Sequence, residues 1–222
     1  MNVIFAYKEL RDSIELKKVK NFLITFYFVG LLGFIIPFTN EIFIFLTPYA
    51  ILLSFVLILF FHQSISLKKN IFIFIIIYLS GFLIEMIGVN TGNIFGEYYY
   101  GAGLGLKIFN TPLLIGINWL MLVYCSANIL SRRKINYLVK ALIASMIMVA
   151  YDLVLEQVAP KLNMWYWKDS YIPIQNYLAW FVIAFMMHLI FKQSDNKNPI
   201  AGLVLILQII FFTLLFLYFN LV

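Results

Sequence analysis

The sequence predicts an all-α protein: a polytopic membrane helix bundle of about seven transmembrane helices, with a candidate parallel internal repeat of helix hairpins. Three observations predict it. Hydrophobic residues make up 64% of the 222 and charged residues only 12%, against about 25% charge in a soluble domain. The mean hydropathy is +0.95. The apolar residues fall into long runs bounded by charged or turn residues, and a crossing takes about 20 of them. Seven crossings then use up the chain, so residues 1–222 read as a single transmembrane domain.

Taken in order, the runs place spans at 21–38, 41–61, 70–90, 112–130, 136–157, 173–191 and 199–220. Before them, residues 1–20 form an amphipathic segment. Val3, Tyr7, Leu10 and Ile14 recur at helical spacing among Lys8, Arg11, Lys17, Lys18 and Lys20, a pattern suited to a helix lying on the membrane surface. It lacks the small-residue end of a cleavable signal peptide.

Charge sets the expected orientation. Those five basic residues, Lys68 and Lys69, Arg132, Arg133 and Lys134, Lys140, and Lys192 and Lys197 share one side, leaving Lys107, Lys161 and Lys168 on the other. The positive-inside rule puts the N-terminus in the cytoplasm and the C-terminus outside, in the inner (cytoplasmic) membrane. The net charge of +6 thus reports topology, and a nucleic-acid partner is not expected. The single Cys125 can form neither an internal disulfide nor a cysteine metal cluster. No metal site is expected. His62 and His188 read as interfacial or packing residues, and Gly101 to Gly105 as a turn. A rhodopsin is excluded because the last span has no lysine for a Schiff base.

The polar and aromatic residues form a constellation that occurs twice. Glu85 is followed after twelve residues by Tyr98-Tyr99-Tyr100, then by Pro112 and Trp119. Asp152 is followed after twelve residues by Trp165-Tyr166-Trp167, then by Pro173 and Trp180. Residues 70–130 and 136–191 are therefore candidate repeat halves, related by an axis along the membrane normal. Interfacial aromatic belts also generate such spacings, so both readings stand at this level.

Asp152 and Glu156 are four apart and share a helix face with Ala141 and Ser145. An acid inside the apolar region costs about 2.5–3.5 kcal/mol on insertion scales, so Glu85, Asp152 and Glu156 are expected to share a polar cavity near one boundary. Shallow, hydrated carboxylates are the alternative. Close carboxyls repel, and one is expected to keep its proton at neutral pH. Such a group can protonate an alkene, with aromatic faces stabilising the cation. The expected division of labour gives the proton to the Asp152–Glu156 pair and leaves Glu85 ionised as the base. Asn90, Asn118 and Asn176 are candidate hydrogen-bond partners, and Tyr98, Tyr100, Trp119, Trp165, Trp167 and Trp180 candidate substrate contacts.

The stretch EMIGVNTGNIFGEYYYGAGLGLKIFNTPLLIGINW, Glu85 to Trp119, resembles the signature region of the membrane carotenoid biosynthesis proteins, whose characterised members are carotenoid 1,2-hydratases. YDLVLEQVAPKLNMWYWKDSYIPIQNYLAW resembles the family's second block, with Ile172-Pro173-Ile174-Gln175-Asn176 in place of a Gly-x-Pro-x-x-Asn form. The resemblance covers most of residues 70–192. It implies addition of water to the terminal C1,C2 double bond of an acyclic or monocyclic carotenoid of the lycopene or γ-carotene type. No cofactor is implied. Carotenoid, water and membrane lipid are the implied partners, with other carotenoid-pathway enzymes as candidates. A lycopene cyclase would begin with the same protonation, and a proton-coupled transporter is the alternative of another class.

Overall fold

The computed structural model describes residues 3–192 and 197–221, with side chains from Tyr7 onward. The side chain of Val3, and Val222, on which the expected exterior C-terminus falls, lie outside the described residues. Eight helices are described: α1 Val3–Ser13, α2 Leu16–Ile35, α3 Asn40–Phe60, α4 Leu67–Thr91, α5 Leu113–Leu130, α6 Tyr137–Val158, α7 Ile174–Phe191 and α8 Ala201–Leu221. The seven from α2 to α8 are long and apolar enough to cross a membrane, and the chain is a multi-pass membrane protein. Large apolar side chains such as Phe28, Phe45 and Phe72 stand exposed on the outer faces, which a bilayer accommodates and water does not.

The helix limits follow local chemistry. Ile36 is extended, as the residue before Pro37 must be, and ends α2. Gly92 closes α4 in the left-handed region at φ 69, its N–H bonded to the carbonyl of Gly88. The Asn136 side chain accepts from the N–H of Leu138 and caps α6. Helices α5 and α7 each begin immediately after a proline, Pro112 and Pro173. The sequence placed the start of the first span at 21, after the lysines. The helix begins instead at Leu16, because lysine is a good helix former and a span can extend past the apolar boundary.

Helix α5 lies at the centre, with 13 of its 18 residues buried, and contacts α3, α4, α6, α7 and α8. Helices α2 and α3 pack as an outer layer beside α8 and α5. The Tyr7 hydroxyl of α1 donates to the carbonyl of Phe60, tying α1 to the far end of α3.

Between the helices lie two short antiparallel ladders. Strand β1 (Tyr98–Tyr100) pairs with β4 (Trp165–Trp167), and β2 (Lys107–Ile108) with β3 (Thr111–Pro112). In the first, Tyr98 opposes Trp167, Tyr99 opposes Tyr166 and Tyr100 opposes Trp165. The two aromatic triplets singled out in the sequence are therefore direct partners. Period-2 alternation turns their outer members to the buried side and leaves Tyr99 exposed. The turn at Gly101–Gly105 extends this pairing. Gly101 N–H donates to Met164 and Gly103 N–H to Asn163, and a Cβ on either glycine would run into the Asn163 backbone.

Candidate functional site

Glu85 in the last turns of α4, and Asp152 and Glu156 in those of α6, end at the same side of the bundle as the β1–β4 ladder. All three are buried, at 3%, 0% and 4% exposure, so none is a hydrated surface carboxylate. The alternative of shallow acids is set aside on that ground.

Each acid is clothed by neutral donors. Glu85 Oε2 accepts from the hydroxyls of Tyr98 at 2.6 Å and Tyr100 at 2.7 Å, and its Oε1 accepts from Trp119 Nε1 at 2.9 Å. Glu156 Oε2 accepts from Trp165 Nε1 at 2.9 Å and Trp167 Nε1 at 2.7 Å. The Asn176 amide donates both to Asp152 Oδ2 at 3.0 Å and to Glu156 Oε1 at 3.2 Å. Asp152 Oδ1 is buried with no hydrogen-bond partner among the described residues. The outer members of β1 thus serve the acid of α4 and those of β4 an acid of α6, because each strand follows the helix whose carboxyl it caps.

The groups around Glu85 and those around Glu156 meet through rings. Tyr98 lies 5.2 Å from Trp167 and Tyr100 6.3 Å from Trp165, centroid to centroid. Below them, Trp119 and Trp180 stack at 4.1 Å with 23° between planes. Burial, then the charge of Glu85, pushes the Tyr98 and Tyr100 hydroxyls well above the usual range, so both remain protonated donors. The rim is held by an ion pair of Lys168 with Glu97 and by the Gln175 amide, which donates to the carbonyls of Asn93 and Ile94.

An apolar cavity of about 260 Å³ opens between α2, α3 and α8, walled by residues such as Phe34, Phe43, Ala50 and Phe211. A smaller cavity of about 30 Å³ is lined by Asn118, Tyr151, Met164, Trp165 and Gln208 among others. The two share Ile51, Met164, Gln208 and Phe212 as walls, so they are neighbours. The smaller one reaches Trp165, and Glu156 lies one hydrogen bond behind it.

Of the residues singled out in the sequence, the structure groups Glu85, Asp152, Glu156, Tyr98, Tyr100, Trp119, Trp165, Trp167, Asn176 and Trp180. Two asparagines differ. Asn90 is exposed and bonds to the carbonyls of Met86 and Phe109 and to the Asn110 amide. Five residues beyond Glu85 on a helix, it points to another face, and it braces the β2–β3 hairpin instead of an acid. Asn118 faces the small cavity and not a carboxyl, since its neighbour Trp119 takes the face toward Glu85.

Both histidines are engaged as packing residues, His62 with Tyr124 and Asn70, and His188 with Ser126. Ala141 and Ser145 are buried on the stripe they share with the acids. Sequence reasoning missed Gln208, a buried amide of α8 common to both cavities. Its signal was a lone amide in the middle of an apolar run.

No solved structure matches the chain. A curated relative, the bisanhydrobacterioruberin hydratase of Haloarcula japonica, is 29% identical over 133 residues, covering 54% of this chain and 43% of that protein. The chain thus matches less than half of that relative's length. The family model described as carotenoid biosynthesis protein matches residues 45–222, which takes in six of the seven membrane helices from within α3 onward and the whole carboxyl cluster, and the chain belongs to that family.

Proposed function

We propose that this protein is a cofactor-independent carotenoid hydratase that adds water to the terminal C1,C2 double bond of an acyclic carotenoid end. The observation that carries the reading is the cluster of three buried carboxyls, two of them wrapped by aromatic donors, with apolar cavities next to its Trp165 wall. The polyene lies in the apolar cavity with its end directed toward Trp165.

Asp152 is the proton donor in this reading. Glu85 and Glu156 each accept from three donors, a shell that suits a fixed anion. Asp152 has one donor and a bare Oδ1, where an acidic hydrogen meets no competing donor. Its proton goes to C2, the π pair forms the new C–H bond, and C1 becomes a tertiary cation. Trp165 shields that cation with its face, and Glu85 and Glu156 stabilise it by charge. A water lone pair then forms the C1–O bond, and the proton lost from that water returns to Asp152, regenerating the acid. With its donor shell full, Glu85 acts as countercharge and not as the base.

The basic ends of the helices, with thirteen of the sixteen Lys and Arg, face the cytoplasm, which places the carboxyl cluster near the outer boundary of the cytoplasmic membrane. A lycopene cyclase uses the same protonation but traps the cation with an internal alkene. A proton-coupled transporter is disfavoured because its ionisable groups sit near the midplane, whereas these cluster at one end. Expression in a lycopene-producing bacterium tests the reading. Carotenoid gaining the mass of water supports hydration, an isomer of unchanged mass means cyclisation, and unaltered lycopene refutes both for that substrate.

A further inference from the structure

The small cavity differs from the large one in the company it keeps. Its volume of about 30 Å³ exceeds the roughly 10–15 Å³ that one water requires, yet it is far too small for an isoprenoid unit. Among the described residues the Asn118 amide has no hydrogen-bond partner, although the side chain is only 9% exposed, and it lines this cavity. Gln208, 5% exposed, lines it from the opposite helix, and Tyr151 and the Trp165 ring complete the wall toward the acids. Beside it, the Tyr27 hydroxyl lies 3.0 Å from that of Ser54. Elsewhere the walls are Leu104, Leu114, Ile115 and Leu155. An unpaired buried amide costs on the order of 1–3 kcal/mol in a site like this, and a water making two to four hydrogen bonds removes that cost.

We infer that Asn118 and Gln208 hold a single water at the junction between the apolar cavity and the carboxyl cluster, and that this is the water that captures the cation. The assignment rests on the hydratase reading. It makes both amides positioning residues for the nucleophile, with no part in delivering the proton. In bulk bilayer no water would be waiting beside a transient cation, and the junction stores one within reach of the polyene end.

The experiment separates capture from protonation. Full-length protein in detergent is given an acyclic carotenoid in heavy water. The hydrated product is measured together with deuterium in recovered substrate, which marks cations that formed and lost a proton uncaptured. Gln208→Met and Asn118→Leu keep volume and remove the amides. Each should lower hydration by about tenfold or more, the scale of one lost hydrogen bond to the reacting group, while deuterium uptake persists or rises. Leu114→Phe, which fills the cavity from a wall with no polar atom, should shift the ratio the same way and guards against misfolding of either amide variant.

Hydration at the parental rate in all three variants overturns the assignment. So does a parallel fall of hydration and exchange in variants that keep a folded thermal transition. A parental protein that neither hydrates nor exchanges defeats the hydratase reading itself, and the water site with it. Exchange without hydration in the parent leaves the protonation step standing and likewise defeats the hydratase reading, and the water site with it.

Discussion

Tyr98 and Trp167 occupy opposed positions of the β1–β4 ladder with their rings 5.2 Å apart, and each donates to a different helix's carboxyl, Tyr98 to Glu85 and Trp167 to Glu156. A three-residue ladder thereby fixes the relative positions of α4 and α6 at the end where the acids lie.

Replacing Asp152 by Asn keeps the shape and removes the acidic hydrogen. Turnover is expected to fall by about 10²- to 10⁴-fold, the usual range for a lost acid–base group, while bound carotenoid co-purifies as before. Pigment content of the purified protein, set against product formed in cells, checks both halves. Full activity in both Asp152→Asn and Glu156→Gln would make the pair structural.

Glu85→Gln should destabilise as well as inactivate. Its amide nitrogen would either confront Trp119 Nε1, donor against donor, or turn to the tyrosines, whose hydroxyls would have to accept instead of donate, and a hydrogen bond to a charged group contributes about 1.5–3 kcal/mol. The thermal midpoint in detergent is expected to drop for Glu85→Gln and for Trp119→Phe by comparable amounts. An unchanged midpoint in both would remove Glu85 from the scaffold.

Trp165→Phe keeps an aromatic face but removes the Nε1 bond to Glu156. The phenylalanine variant should lose stability on the scale of one hydrogen bond to a charged group, about 1.5–3 kcal/mol, yet keep more turnover than Trp165→Ala. Product formation in the two variants, compared at matched expression, decides whether the face or the N–H matters more to the chemistry.

Alkaline pH should loosen the ladder. The Tyr98 and Tyr100 hydroxyls are held well above their ordinary value of 10.0 by burial. Raising pH past that value deprotonates the unfolded chain first, so the unfolded state binds fewer protons and stability falls as pH rises. Their contribution is complete below about 10 and drains away above it. Denaturation midpoints taken across this range should decline, and less steeply in Tyr98→Phe with Tyr100→Phe.

Topology is open to direct measurement. Reporter fusions after Lys134 should be active on the cytoplasmic side, and fusions after Ser170 on the exterior. The reverse pattern would put the carboxyl cluster at the inner boundary.

The sequence alone determined the membrane class and the spans, because helix formation in a bilayer is enforced locally. Every backbone group must be satisfied within its own segment, so an apolar run of sufficient length, as at Asn40–Phe60 or Ala201–Leu221, has no other option. It also singled out Glu85, Asp152, Glu156 and the two aromatic triplets, since polar groups in an apolar chain stand out one by one. What only the tertiary structure decided was pairing. That Tyr98 would face Trp167, that Glu156 and not Asp152 would take both tryptophans, and that Asn176 would bridge two acids while Asn90 turned away depend on the rotation and register of helices far apart in the chain. Gln208 is the plainest case. One amide in an apolar helix carries no local signal of purpose, and it gains one only where α8 packs against α5 and α6 and brings it to the cavity that Asn118 enters.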